Sequence, residues 1–336
     1  MKKLLLISMV VLMAVAVAAG AYAAKGYPKR NITDVVVWGA GGGTDTCNRI
    51  IMAEMAKFIG VNINVINKTG GVAGSVGMSY AYSQPHDGYT LCGLSESNVT
   101  AGVQGGWDKK FDVWNTFIVG GSPDVISVTP DTPYKTLQDL IEAAKANPKS
   151  IKAAASGAGS IHHLNLLAVE KGSGAKFNFI PYKGSAPAQN AAMTGEVSVV
   201  VTSLAEQQQL LRGGKLRALG MLIPDAFEVE GLGQIPSSFD AYPGLSEYLP
   251  ISQAIGFAVP ADAPAEAKAV LVDAFTKAMA TDKVKTWAKE NYYLLSGKTG
   301  AESKAVFDAL ESNFAWTLWE LGAATVDPAS LGIPKP

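Results

Sequence analysis

One pattern governs what this chain can fold into: a short β-branched apolar run, a turn of Gly, Ser and Thr, then a segment with helical spacing, repeated from residue 33 to residue 221. Residues 33–38 form the first apolar run, and 48–59 the first helical segment, with Ile50, Ile51, Met55 and Phe58 apolar. Runs at 61–66 and 89–94 predict two more strands. A small-residue helix at 74–83 and the turn Pro85-His86-Asp87-Gly88 separate them. Strands alternating with helices of about ten residues predict a mostly parallel sheet with helices on both faces.

At 336 residues the chain has the length for two such units. The apolar stretch 116–128 is broken by Gly120-Gly121-Ser122-Pro123, which reads as the first crossing between domains. The alternation then restarts, with helices expected at 137–146, 162–171, 188–194 and 205–212 and strands at 151–155, 177–181, 197–202 and 216–221. Residues 224–250 are rich in Pro, Gly and Ser and read as a lid-like or connecting loop. A strand at 255–259 and patterned helices at 264–279 and 301–321 are assigned back to the first unit. The expected domains are therefore 24–124 with 252–336, and 125–251. Two connections between lobes leave a cleft that is a natural binding site.

The first 23 residues stand apart. Lys2-Lys3 precede an apolar run from Leu4 to Ala19 and a small-residue site, Ala21-Tyr22-Ala23, which together read as an export signal cleaved near Ala23. No other segment approaches the roughly 18 apolar residues needed to span a bilayer, so a periplasmic location is expected. Loss of the two leader lysines leaves 26 basic against 29 acidic residues, which disfavours nucleic acid as a partner. Cys47 and Cys92 are too few for a disulfide framework; one bridge or two buried thiols both remain open.

Three strand-to-helix turns share one grammar: Gly39-Ala40-Gly41-Gly42-Gly43-Thr44-Asp45, Ser156-Gly157-Ala158-Gly159-Ser160 and Lys183-Gly184-Ser185-Ala186-Pro187. Glycine lets backbone N–H groups turn inward, and a helix N-terminus adds partial positive charge, so such turns bind a carboxylate without a basic side chain. Other readings fail on particular residues. The dinucleotide pattern would need glycine at Thr44 and an acid where Asn67 stands. Gly297-Lys298-Thr299 has Tyr292 in place of the first P-loop glycine, and Ala73-Gly74-Ser75-Val76-Gly77 lacks the first glycine of a hydrolase elbow. His86, His162 and His163 have no partner at zinc spacing, so neither metal nor cofactor is expected. Trp38 is open between core and cleft wall, and Lys183 between cleft and solvent.

The sequence resembles the periplasmic solute-binding proteins of tripartite tricarboxylate transporters, the Bug or TctC type. The matching pieces are Tyr27-Pro28, the run from Val37 to Asp45, Asp87-Gly88-Tyr89-Thr90-Leu91, Gly159-Ser160 with His163-Leu164, the run from Pro181 to Ala188, and Gly214-Lys215-Leu216-Arg217-Ala218-Leu219. They follow family order across most of the chain beyond the leader. The resemblance implies an α/β, two-lobed periplasmic-binding-protein (Venus-flytrap, type II) fold with a central cleft and two crossover connections. It implies a non-enzymatic, monomeric protein that closes on a small carboxylate-bearing solute and delivers it to integral-membrane permease subunits. By position it places Gly42, Gly43, Thr44, Asp45 and Ser95 on one side of the ligand, and Ser160, His163, Tyr182, Gly184, Ser185 and Ser203 on the other. Asp45 is expected to cap its helix or position water. Two departures bear on the ligand: Glu96 stands where many relatives are uncharged, and His162 occupies a variable position. Dicarboxylates, tricarboxylates, acidic amino acids and aromatic carboxylates stay open. So do two other readings, an exported serine-dependent hydrolase and a partner of a sensor kinase.

Overall fold

The computed structural model describes residues 26–249 and 253–336. The expected leader and its cleavage site lie outside the described residues. The chain begins as β1 (Ile32–Val36), α1 (Gly43–Ile59), β2 (Ile63–Asn67), α2 (Ser75–Tyr82), β3 (Thr90–Leu94) and β4 (Trp114–Gly121). It continues as β5 (Asp124–Val128), α3 (Leu137–Ala146), β6 (Lys152–Ala155), α4 (Ile161–Ser173), β7 (Asn178–Pro181), α5 (Ser185–Met193), β8 (Val199–Ser203), α6 (Leu204–Arg212) and β9 (Arg217–Met221). A hairpin, β10 (Phe227–Val229) and β11 (Gly233–Ile235), and a short α7 (Ser238–Ala241) follow. The chain ends as β12 (Ile255–Pro260), α8 (Ala265–Ala280), α9 (Asp282–Glu290), β13 (Leu294–Thr299) and α10 (Gly300–Glu320).

Two sheets organise these elements. The first has the order β13-β4-β12-β3-β1-β2 and the second β7-β6-β8-β5-β9. Only β1 with β2 and β3, and β6 with β7 and β8, pair in parallel; β3–β12, β12–β4, β4–β13, β5–β8 and β5–β9 are antiparallel. The mostly parallel expectation is therefore corrected to mixed sheets. A crossover helix returns the chain to the same end of a sheet and makes a parallel pair. β5 and β12 instead arrive from the other lobe without such a helix, and both run against their neighbours. Only Ser122 and Pro123 separate β4 from β5, and the return passes through 250–252, outside the described residues.

Alternation sets the cores. In β12, Ile255, Phe257 and Val259 face α1 and α8 while Ala258 faces the opposite core; in β8, Val199 and Val201 point one way and Val200 the other. Phe117 stacks on Phe257 with ring centroids 4.4 Å apart, and Phe275 meets Phe117 edge-on at 5.5 Å. The buried face of α1 is Cys47, Ile51, Met52 and Met55, spaced for one helical side. Phe58, expected to share it, is 45% exposed. Cys47 and Cys92 are buried free thiols on either face of this sheet.

Two regions differ from expectation. Residues 224–249 are not a lid: the hairpin and following turns pack on the second lobe, where Val229, Ile235 and Leu245 are buried. β13 went unread because it is an edge strand whose side chains are mostly exposed, so neither face carries an apolar pattern, and α9 went unread although Val284 and Ala288 mark its buried face. Gly297-Lys298-Thr299 lies on that strand and is no phosphate loop.

Asp34 is fully buried in β1, with neither carboxylate oxygen hydrogen-bonded among the described residues. Burial, helped by the nearby Asp45 charge, pushes its pKa up to about 8. The folded chain then retains a proton that the unfolded chain releases near pH 4. Its stabilising effect is complete below about pH 4 and is lost as pH rises to about 8. We expect Asp34→Asn to gain melting temperature relative to the parent as pH goes from 5 to 9. A constant difference across that range would contradict a buried neutral Asp34.

Candidate functional site

The turns after β1, β3, β6, β7 and β8 meet where the two sheets face one another, outside the ends of their strands, as sites in open α/β sheets do. A cavity lies there, lined from the first lobe by Trp38, Gly42, Gly43, Thr44, Ser95, Glu96, Ser97, Gln253 and Ile255, and from the second by Ser156, His162, Gly184, Ser185 and Glu206. About 20 Å³ of free space remains between the lobes, enough for one or two waters. A larger solute therefore needs them to part.

The lobes are clasped. The Gly43 N–H, at the start of α1, donates across the cleft to Glu206 Oε1 at 2.6 Å. Glu206 Oε2 accepts from the Ser203 N–H at 3.0 Å and its hydroxyl at 2.8 Å, so one carboxylate caps α1 and α6 together. The Ile161 N–H donates to Ser97 Oγ at 2.8 Å, and the Thr100 hydroxyl donates to the Gly159 carbonyl at 2.8 Å. Backbone also meets backbone: a Cβ on Gly184, at φ +135°, would lie 2.9 Å from the Gly39 nitrogen. Glycine is required here both for that φ and for the close approach.

Charge runs through the same clasp. His162 Nδ1 lies 2.8 Å from Asp124 Oδ2, which also accepts from Asn165 Nδ2 at 2.7 Å, and His162 Nε2 lies 3.5 Å from Glu206 Oε2. Burial alone would lower the His162 pKa, but Asp124, Glu206 and Glu96 together hold it at about 9. Glu96 is buried, accepting from the Ala254 N–H at 2.7 Å and the Ser97 hydroxyl at 2.8 Å; burial still raises its pKa above the usual carboxylate range.

Of the residues singled out from sequence, Gly42, Gly43, Thr44, Ser95, Gly184 and Ser185 line the cavity and five do not. Asp45 accepts from the Gly41 N–H at 2.9 Å and from Asn67 at 2.8 Å, and pairs with Arg49 at 2.8 Å, so it braces the first glycine turn from behind. Burial would raise its pKa, yet Arg49, the Gly41 N–H and Asn67 hold it below the usual range. Ser160 is fully buried and caps α4 by accepting from the His163 N–H. His163 faces away from the cavity: its ring stacks on Phe179 at 3.9 Å and its Nδ1 accepts from the Gly159 N–H, and burial lowers its pKa to about 4. The Tyr182 hydroxyl donates to Glu196 at 2.8 Å, outside the cavity. Ser203 reaches the site only through Glu206. Trp38 walls the cavity, and Lys183 is exposed.

Sequence reasoning missed Glu206, Ser97, Gln253 and Ile255, and read Ser156 as part of its turn without singling it out. Ser203 and Glu206 have the spacing of a capping box, which marks a helix start but not a reach into the other lobe. Among the described residues no cluster of His, Cys, Asp and Glu is placed to hold a metal, and no helix is long and apolar enough to cross a membrane.

The family model described as the tripartite tricarboxylate transporter family receptor matches residues 47–294. The chain belongs to this family. Its members are receptors and not enzymes, in keeping with a Ser160 hydroxyl spent on a helix cap. BugT of Bordetella pertussis is 30% identical over 64% of this chain and 67% of its own length, and another curated relative is matched over 65% of its length. Among solved structures, the periplasmic binding protein BugD superposes with a TM-score of 0.79 at 24% identity, covering 89% of this chain and 99% of that one. MatC of Rhodopseudomonas palustris, with bound malate, superposes with a TM-score of 0.78 at 22% identity, covering 87% and 100%. The two-lobed fold of the periplasmic binding proteins is thus shared.

Two outcomes follow from the clasp. A Cβ on Gly39 would stand 3.0 Å from the Lys183 carbonyl, a contact made only with the lobes together. We expect Gly39→Val to enlarge the radius of gyration in small-angle scattering, to weaken solute binding by about tenfold and to leave circular dichroism unchanged. An unaltered scattering curve and affinity would show that closing tolerates the crowding. For His162, a folded pKa of about 9 against an ordinary 6.5 means its stabilising effect is complete below pH 6.5 and lost as pH rises through 9. The parent should therefore lose more melting temperature between pH 6.5 and 9.5 than His162→Gln does. Equal losses would mean that His162 is neutral in the folded protein.

Proposed function

We propose that this protein is an exported periplasmic receptor that captures a small carboxylate-bearing solute between its lobes and presents it to integral-membrane permease subunits. The observation that carries this reading is the convergence of glycine- and serine-bearing turns, two of them opening α1 and α5, on one cavity between the lobes. The Thr44 and Ser185 N–H groups have no acceptor among the described residues, and the Thr44, Ser156 and Ser185 hydroxyls make no hydrogen bond there either. All three side chains belong to residues at least nine-tenths buried. Trp38, on the cavity wall, has its Nε1 buried without a partner among the described residues, and a solute that meets it and these hydroxyls gains affinity from groups already in place. The MatC structure, with its bound malate, adds that a protein of the same fold accommodates a carboxylate.

In this reading Gly42, Gly43, Thr44, Ser95, Gly184 and Ser185 contact the solute or its waters, while Asp45, Ser160, His163, Tyr182 and Ser203 hold the turns. The working form is a monomer, and the leader is removed near Ala23. Closing is a population shift, because contacts to both lobes exist only when they meet.

The test is a thermal-shift panel of small carboxylates on the purified chain without its leader, followed by calorimetry. A one-to-one complex and a shift of several degrees are expected with at least one acid. If mass spectrometry of the denatured protein finds no copurified acid and no carboxylate shifts the melt, the reading fails.

A further inference from the structure

Four ionisable side chains set the charge of the cavity. Glu96 and Glu206 line it from opposite lobes, His162 lies between the lobes, and Asp124 backs His162. No lysine or arginine lines it among the described residues. One imidazolium thus faces three carboxylates, and a solute bringing two or three more negative charges would meet no further positive side chain.

The donors are limited as well. The first N–H of α1 already holds the Glu206 carboxylate, and the Ile161 N–H of α4 is taken by Ser97. The unpartnered donors among the described residues include the Ser185 N–H at the start of α5, the Thr44 N–H, the buried Trp38 indole N–H, and the hydroxyls of Thr44, Ser156 and Ser185, residues that are 6%, 5% and 5% exposed. These donors are all neutral, so they suit an anion of low charge.

The acceptors point to a cation. A carboxylate has about four lone-pair sites. Glu96 fills one with the Ser97 hydroxyl and one with the Ala254 N–H, so the others remain for a donor in the cavity. Closing the lobes carries Glu96 toward Glu206, and His162 is the one positive side chain against three carboxylates there, so a further positive group on the solute favours closure.

We propose that the solute is a monocarboxylate bearing a protonated amino group, its carboxylate at Ser185 and its ammonium at the free lone pairs of Glu96. This rests on the receptor reading above and narrows it: dicarboxylates and tricarboxylates are disfavoured, and the amino group favours closing by offsetting the excess of carboxylates.

The test is calorimetry at pH 7 on the chain without its leader, using acids that differ only in the amino group: propanoate against alanine and β-alanine, butanoate against γ-aminobutanoate. Succinate, malate and propylamine complete the set. At least one amino acid should bind about tenfold or more tighter than its desamino partner, and tighter than either dicarboxylate. Glu96→Gln should bring the two members of that pair within about twofold, with circular dichroism unchanged. The paired comparison uses the unaltered protein, so it stands even if the variant does not fold. Equal or tighter binding of a desamino acid or a dicarboxylate would overturn the ammonium seat and leave the carboxylate receptor standing. Binding of propylamine as tightly as the amino acids would overturn the carboxylate reading. Silence of all the amino acids would overturn the inference, whatever the dicarboxylates do.

Discussion

One carboxylate reaches across the two halves of this molecule and caps a helix in each. Glu206 reaches from α6 to the first N–H of α1 while its other oxygen closes the capping box with Ser203. A helix N-terminus attracts an anion whatever supplies it, and here the opposite lobe supplies it. Because Glu206 also stands beside His162, which is held by Asp124, the contact is part of a line of alternating charges from the second lobe into the first. Such a line is weak evidence for stability, since burying charge costs about as much as pairing returns. It is better suited to setting the angle at which the lobes meet. The turns of the first lobe, braced from behind by Asp45, Asn67 and Arg49, provide the rigid surface against which that angle is set.

The hinge follows from topology. β4 passes to β5 through two residues, and β5 sits between β8 and β9 at once. A connection so short cannot absorb motion by uncoiling, so any opening of the lobes has to be a movement of whole bodies about the ends of their strands. Ser122 is held from both lobes: its N–H donates to Gln253, and its hydroxyl accepts from the Ala205 N–H at the start of α6. Gln253 also lines the cavity, so the pivot and the site share a residue.

Much of this was legible in the sequence, for physical reasons that differ by region. Buried strands flanked by helices carry β-branched runs, and all the strands from β1 to β9 were found to within a few residues except where β4 and β5 were read as one broken stretch. Helix starts were read late: α1 begins at Gly43 and not near Asn48, because a first turn of Gly and Thr has no apolar period. The glycine turns were visible as a grammar, since backbone conformation is written in residue type. What each turn does with its N–H groups was not, because Glu206 lies 163 residues from Gly43 and pairing at that separation leaves no local trace. His162 and His163 illustrate the same limit. Sequence places them side by side, and only the packing of Phe179 sends one inward to a stack and leaves the other to the cavity.

The two cysteines close the account. Cys47 and Cys92 are both fully buried in the first lobe, and burial beside Asp34 pushes both thiols well above their ordinary pKa. Thiolate, the reactive form, is therefore scarce at each. Maleimide chemistry would pass both by, so one surface cysteine engineered into each lobe could carry a fluorophore pair on an otherwise native background. The opening and shutting of single molecules could then be watched directly, without first deleting core side chains that the sheet needs.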